Sequence, residues 1–175
     1  MSVGSLYQYY PNRDALLAAV LEAHLVGLAE AIERVCHRLG GEAIPEIASG
    51  LTTTFLAAKL RNLEESKALY AIASERGGAE LVARVSPRMV EAIATMLATA
   101  RDVHFDDPAV VATVALSAIL GTMRAVLEGY TPANFGMALE RQVTLLLTAY
   151  LQSFSKEEQP YQATSLASRV KCLPK

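Results

Sequence analysis

A chain of 175 residues with 52% hydrophobic content suits one domain with a sizeable core. Aromatic residues make up 6% and Trp is missing, so that core is aliphatic; Ala, Leu and Val set between Glu, Arg and Gln predict an all-helical fold. A net charge of −2 excludes a global positive field for nucleic acid, and two cysteines, Cys36 and Cys172, give no disulfide framework.

Residues 1–11 are predicted to form a short, rigid helix. Val3 and Leu6 share one side, Tyr7, Tyr9 and Tyr10 crowd its end, and Pro11-Asn12 stops it. Its small residues Ser2, Gly4 and Ser5 permit close approach to a surface, and phenol hydroxyls can donate to phosphate oxygens. A long helix follows from the cap Asn12 to Leu39, with Asp14 near its positive end. Leu17, Val20, Leu21, Leu25, Leu28, Ile32, Val35 and Leu39 recur along it at three- and four-residue steps. Glu22, Glu30, Glu33, Arg34 and Arg38 take the other face, and Gly40-Gly41 ends it. Roughly 40 Å long at about 1.5 Å per residue, such a rod can connect a reading head to a distant core.

A third helix is predicted over Ile44 to Leu60, with Ile47, Leu51, Phe55 and Ala58 inward, and a fourth over Glu64 to Arg76, ended by Gly77-Gly78. A fifth, Glu80 to Ala100, should be kinked or divided by Pro87. Asp107 caps and Pro108 opens a helix to Glu128, and Thr131-Pro132 repeats that start for a last helix ending near Phe154. Residues 156–175 read as a poorly ordered tail. The apolar stretches near Val110 and Val143 are interrupted by Thr, Ser, Gly or Arg before about 18 residues, short of a membrane span. The N-terminus lacks a signal peptide's basic-then-apolar order, so a cytoplasmic chain with no membrane partner is expected.

Ser117, Gly121, Ala125 and Gly129 form a smooth stripe that lets another helix pack closely. The last helix offers Val143, Leu146, Leu147, Tyr150, Leu151 and Phe154, more apolar surface than one side needs. Two readings follow. One is an ordinary helix pair within the chain; the other is a face that meets its copy in a four-helix dimer interface through Ser117, Gly121, Ala125, Val143, Leu147 and Tyr150. His24 lies on the apolar stripe of the long helix and is either a hydrogen-bonded core residue or a ligand contact. With Thr52, Phe55, Tyr70, Met89, Met96 and Met123 it can line a mainly hydrophobic pocket, although Met and aromatic residues at helical spacing equally build core. Arg88 and Arg124 either receive an acidic effector or pair with a local carboxylate. Asp102, His104, Asp106 and Asp107 match no metal-ligand spacing, and capping accounts for Asp107. With no Gly-rich phosphate loop, His-Glu-x-x-His or Gly-x-Ser-x-Gly, neither enzyme activity nor a cofactor or metal is expected.

The order Ser2-Val-Gly-Ser-Leu-Tyr-Gln-Tyr-Tyr-Pro-Asn-Arg-Asp-Ala-Leu-Leu17 closely resembles the recognition helix and following helix start of the tetracycline-repressor (TetR/AcrR) family. These are dimeric, ligand-responsive bacterial transcription regulators in which repression is the commoner role. The resemblance is specific over Met1 to Leu25 and rests beyond that on helix number, helix lengths and the paired terminal helices. It implies an all-α fold: a helical ligand-binding and dimerisation domain over residues 12–155, preceded at 1–11 by a partial helix-turn-helix consisting of the recognition helix. It implies that Val3, Gly4 and Tyr7 face base edges or sugar-phosphate, while Ser5, Tyr9 and Arg13 grip phosphates. Its further implications are a homodimer through the last two helices, duplex operator DNA as partner of the full-length form, and a small apolar or amphipathic effector between the middle helices.

In that family two helices precede the recognition helix, and the first of them holds it at the groove. Residues 1–175 alone are therefore expected not to bind an operator usefully; a start assigned too far downstream would give the shortened head, with a true truncation as the other account. The alternative is a helical dimer that binds ligand, or pairs with a relative, without touching DNA.

Overall fold

The computed structural model describes residues 12–61, 63–74 and 78–155. Six helices run in chain order: α1 (Arg13–Leu39), α2 (Ile44–Leu60), α3 (Leu63–Ser74), α4 (Gly78–Leu97), α5 (Pro108–Leu127) and α6 (Phe135–Gln152). The described residues contain no strand, so the all-α expectation is met.

The α1 helix begins where Asn12 Oδ1 accepts the Ala15 N–H at 2.8 Å, and it ends at Gly40-Gly41, with Gly41 at a φ of 82° that a side chain would disfavour. Leu21, Leu25, Leu28, Ile32 and Val35 are buried along one stripe, each Leu or Ile contributing roughly 1.5–3 kcal/mol by leaving water. The turn into α2 is tied to the loop after α4. Gly41 N–H donates to Thr99 Oγ1 at 3.0 Å, and the Asp102 carboxylate accepts from Ile44 N–H at 3.0 Å, capping α2 from outside its own sequence. Gly50 of α2 faces α1 closely, and a Cβ there would push aside the tip of the Leu39 side chain.

Helix α4 packs along α1, and α5 along α4; α2 packs against α1 and carries α6, while the short α3 touches α1, α2, α4 and α5. Two surface ion pairs join α4 to α1: Arg88 grips Glu33 through both carboxylate oxygens at 2.9 and 3.0 Å, and Arg84 reaches Glu22 at 3.3 Å. One apolar core runs through all six helices, with Phe55, Ile47, Leu51, Leu139, Leu147 and Leu151 among its fully enclosed side chains.

Three expectations are corrected. Pro87 does not divide its helix: α4 is continuous, with Pro87 on the exposed side, where water can serve the carbonyl that proline leaves unbonded. The last helix does not begin at Thr131-Pro132. Those residues form a turn, in which Phe135 N–H donates to the Pro132 carbonyl at 2.9 Å, and α6 starts from Asn134 without a side-chain cap. Asp107, by contrast, does cap α5, accepting from Val110 N–H at 3.1 Å. Third, α1 and α5 are long and apolar enough, by length and composition, to cross a membrane. Both put one face into the core, Leu21 to Val35 in α1 and Val111 to Met123 in α5.

Candidate functional site

The periodicity that buries one stripe of α1 sets Leu21, His24, Leu25 and Leu28 facing α3, α4 and α5, and these helices do not close completely. They leave a cavity of about 410 Å³. Leu69 and Tyr70 of α3, Val82, Val85, Ser86 and Met89 of α4, and Leu120, Met123 and Leu127 of α5 complete a mainly apolar wall. Lys59, in the last turn of α2, also reaches it. This composition, apolar with a few polar groups, is that of a small-molecule site.

The polar groups fall into two sets. In one, Arg124 Nε donates to Glu128 Oε1 at 2.8 Å and the Tyr70 hydroxyl donates to the same oxygen at 2.9 Å. The Tyr70 bond, then the Arg124 bond, hold the Glu128 carboxyl below its ordinary pKa. In the other, Lys59 Nζ lies 3.1 Å from His24 Nε2. Burial lowers the pKa of His24, the Lys59 charge lowers it further, and Glu65 opposes both. Burial likewise lowers that of Lys59. Both side chains thus release a proton more readily than they would in water.

Four of the seven expected pocket residues, His24, Tyr70, Met89 and Met123, meet at this cavity. The other three do not. Thr52 and Phe55 are fully buried on α2 away from it, and Met96 lies nearer the end of α4, beside a shallow hollow with Cys36, His37 and Thr99. Thr52 Oγ1 is, among the described residues, a buried hydroxyl oxygen without a partner. Cys36 is no reactive site, since burial pushes its thiol up to about 12. Arg88 and Arg124 take the local reading, pairing with Glu33 and Glu128. The spacing argument missed Lys59, Ser86 and Leu120. Of these, Lys59 had a signal: it is the lone charge in the otherwise apolar run Phe55-Leu-Ala-Ala-Lys-Leu60.

The two terminal helices also differ from expectation. They touch each other less than α5 touches α4 or α6 touches α2, so they are not a tight pair within the chain. Val143 and Leu147, expected at a partner face, are 2% and 0% exposed and belong to this chain's own core. Leu145 and Leu146 carry the outward face instead, at 51% and 50%. On α5, Val110 and Val114 are exposed with Ser117 and Gly121, Ala125 is half-buried, and a Cβ on Gly121 would meet no atom within 4 Å. Ser117 and Gly121 also form part of the cavity rim. Tyr150 is half-buried, edge-on to Phe154 with ring centres 5.4 Å apart.

Of the expected DNA contacts, Val3, Gly4, Ser5, Tyr7 and Tyr9 lie outside the described residues, as does the segment 156–175; Arg13 is exposed in the first turn of α1. No cluster of metal-ligating side chains occurs among the described residues. Residues 43–151 match the family profile described as tetracyclin repressor-like, C-terminal domain, a stretch that spans α2 to α6. No curated protein and no solved structure matches the chain.

Proposed function

The chain belongs to the tetracycline-repressor-like family, and we propose that it is the sensing and dimerising part of a cytoplasmic transcription regulator, a repressor, whose small apolar or amphipathic effector occupies the cavity between α1, α3, α4 and α5. One observation carries this reading: Leu21, His24, Leu25 and Leu28, four residues of the cavity wall, belong to α1 itself. An occupant therefore presses on the helix that follows, in sequence, residues 1–11, the resembled recognition segment with Val3, Gly4, Ser5, Tyr7 and Tyr9, and that itself begins with Arg13. A tilt of α1 in each subunit of a dimer changes the spacing of the two reading helices, so duplex DNA binds one state better than the other.

The dimer is supported by the unpartnered apolar faces of α5 and α6, with Val110, Val114, Leu145 and Leu146 outward and Gly121 free of any intrachain neighbour that would require its smallness. A regulator of this kind performs no turnover. A helix-turn-helix needs its first helix to seat the second in the groove. Operator binding is thus expected of a chain that carries both. A second reading, a ligand-binding dimer that never touches DNA, is favoured by the net charge of −2.

Gel-shift titration separates the two. The regulator reading expects a chain extended by the upstream coding region to bind its operator and an effector to release it. If the extended chain binds no duplex DNA, the second reading takes its place. If residues 1–175 bind as tightly as the extended chain, the requirement for the preceding helix is wrong.

A further inference from the structure

Lys59 is, among the described residues, the one cation of the cavity wall that forms no ion pair with a carboxylate; the charge of Glu65 is felt at the neighbouring His24. Arg124 is held by Glu128, whereas Lys59 meets the imidazole of His24, and the wall contains no Asp or Glu. For that 3.1 Å contact to be a hydrogen bond from the ammonium, Nε2 must offer its lone pair, which places the imidazole proton on Nδ1 and leaves the ring neutral. The lowered proton affinity of His24 agrees with this arrangement. An ammonium has three N–H donors and His24 takes one. The rest remain on a half-buried cation beside Leu21, Leu25, Leu28 and Leu69, where a charge without a counter-ion is costly.

Resting on the effector reading above, we infer that the cavity takes an amphiphile with a single carboxylate head, the carboxylate accepting hydrogen bonds from Lys59 Nζ and the apolar body lying against Leu21, Leu25, Val85 and Met89. One positive charge without an ion-pair partner suits one negative charge. A cationic ligand would find no acid in the wall to receive it, and would face Lys59. The volume of about 410 Å³ lies toward the small end of ligand sites, which run from roughly 300 to 1,000 Å³, and fits a slim chain or a single-ring acid. His24 then acts as a positioning residue, holding the ammonium toward the space rather than letting it reach outward to solvent.

Calorimetric titration with decanoate, decan-1-ol and decylamine tests the inference on the wild type, on Lys59→Met, and on Leu120→Trp, whose indole fills the cavity. Ser86→Phe serves as a second blocking variant should Leu120→Trp lose its helical circular dichroism. The expected result is one decanoate per chain, bound at least about ten-fold more tightly than decanol, as one charge-assisted pair would give. In Lys59→Met that advantage disappears while decanol binding is unchanged, decylamine is the weakest ligand of the wild type, and the blocking variant binds none of the three. Equal affinity for decanoate and decanol, both lost on blocking, overturns the acid head group and leaves the effector cavity standing. Binding that survives both blocking variants overturns the cavity reading as well. If none of the three probes binds the wild type, the amphiphile inference falls.

Discussion

The two flanks of the core close differently. Between α2 and α6, Phe55, Leu51, Leu139, Leu147 and Leu151 are fully enclosed, and Thr53 Oγ1 donates to Glu140 Oε1 at 2.6 Å across the seam. Between α1, α3, α4 and α5 the same kinds of side chain leave about 410 Å³ unfilled. The difference lies in the covering element. Helix α6 lays 18 residues over its flank with four buried apolar positions, whereas α3 has 12, of which Leu69 is the buried apolar one among those whose burial is described. Interiors are otherwise close-packed, and an open space forfeits contacts along its whole lining. A sensing protein can thus keep a rigid flank as a reference and a loose one for ligand.

Truncations on the two flanks should separate them most widely. Leu147→Ala or Phe55→Ala, in the closed seam, is expected to lower unfolding free energy by about 3–5 kcal/mol in urea titrations. Leu120→Ala, a half-buried wall residue beside existing space, should lose only about 1 kcal/mol. Equal losses on both sides would erase the contrast. Thr52→Val probes the one blemish of the closed flank. Replacing a buried, unpartnered hydroxyl by a methyl should raise stability by about 1 kcal/mol, and a loss of stability would mean that Thr52 has a partner after all.

On the open flank, His24 gives a pH signature. Its folded pKa is lowered, so the unfolded chain takes up the proton first. Stability should be unaffected by this group above the ordinary value of 6.5, fall as pH drops below it, and level off once pH is under the folded value. His24→Gln, with Lys59 and Glu65 intact, should flatten that part of the pH–stability curve; an unchanged curve contradicts the burial of the imidazole. The smallest effect belongs to the surface. Arg88→Ala breaks an exposed ion pair with Glu33 and should leave the denaturation midpoint where it is, in low and high salt alike.

How far the sequence reveals all this depends on what decides each feature. The limits of α1 are legible because local chemistry sets them: Asn12 accepts the Ala15 N–H, and Gly40-Gly41 stops the helix. Thr131-Pro132 misleads because it has the composition of Asp107-Pro108 without its bond. Periodicity correctly turns His24, Tyr70, Met89 and Met123 inward, but it turns Thr52, Phe55 and Met96 inward by the same logic. Only the lengths and placement of neighbouring helices decide which inward faces meet a space. Within Val143-Thr-Leu-Leu-Leu147, apolarity marks nearly every position, so it cannot tell the buried Val143 and Leu147 from the exposed Leu145 and Leu146. Lys59 stayed hidden because a lysine in a last helical turn ordinarily faces water. The family is legible twice, from non-overlapping stretches: the resemblance over residues 1–25 and the profile match over 43–151.

The central claim is that filling the cavity moves α1 in a dimer. Double electron–electron resonance between spin labels at Asp14→Cys, at the exposed start of α1, reads this directly in a Cys172→Ser background. Cys36 can stay, because its buried thiol, pushed up to about 12, resists labelling. With a compound that binds the wild type but not Leu120→Trp, the account predicts a distance between the two labels that shifts on saturation and does not shift in the blocked variant. An unchanged distance in the loaded wild type, or no intersubunit distance at all, would contradict it.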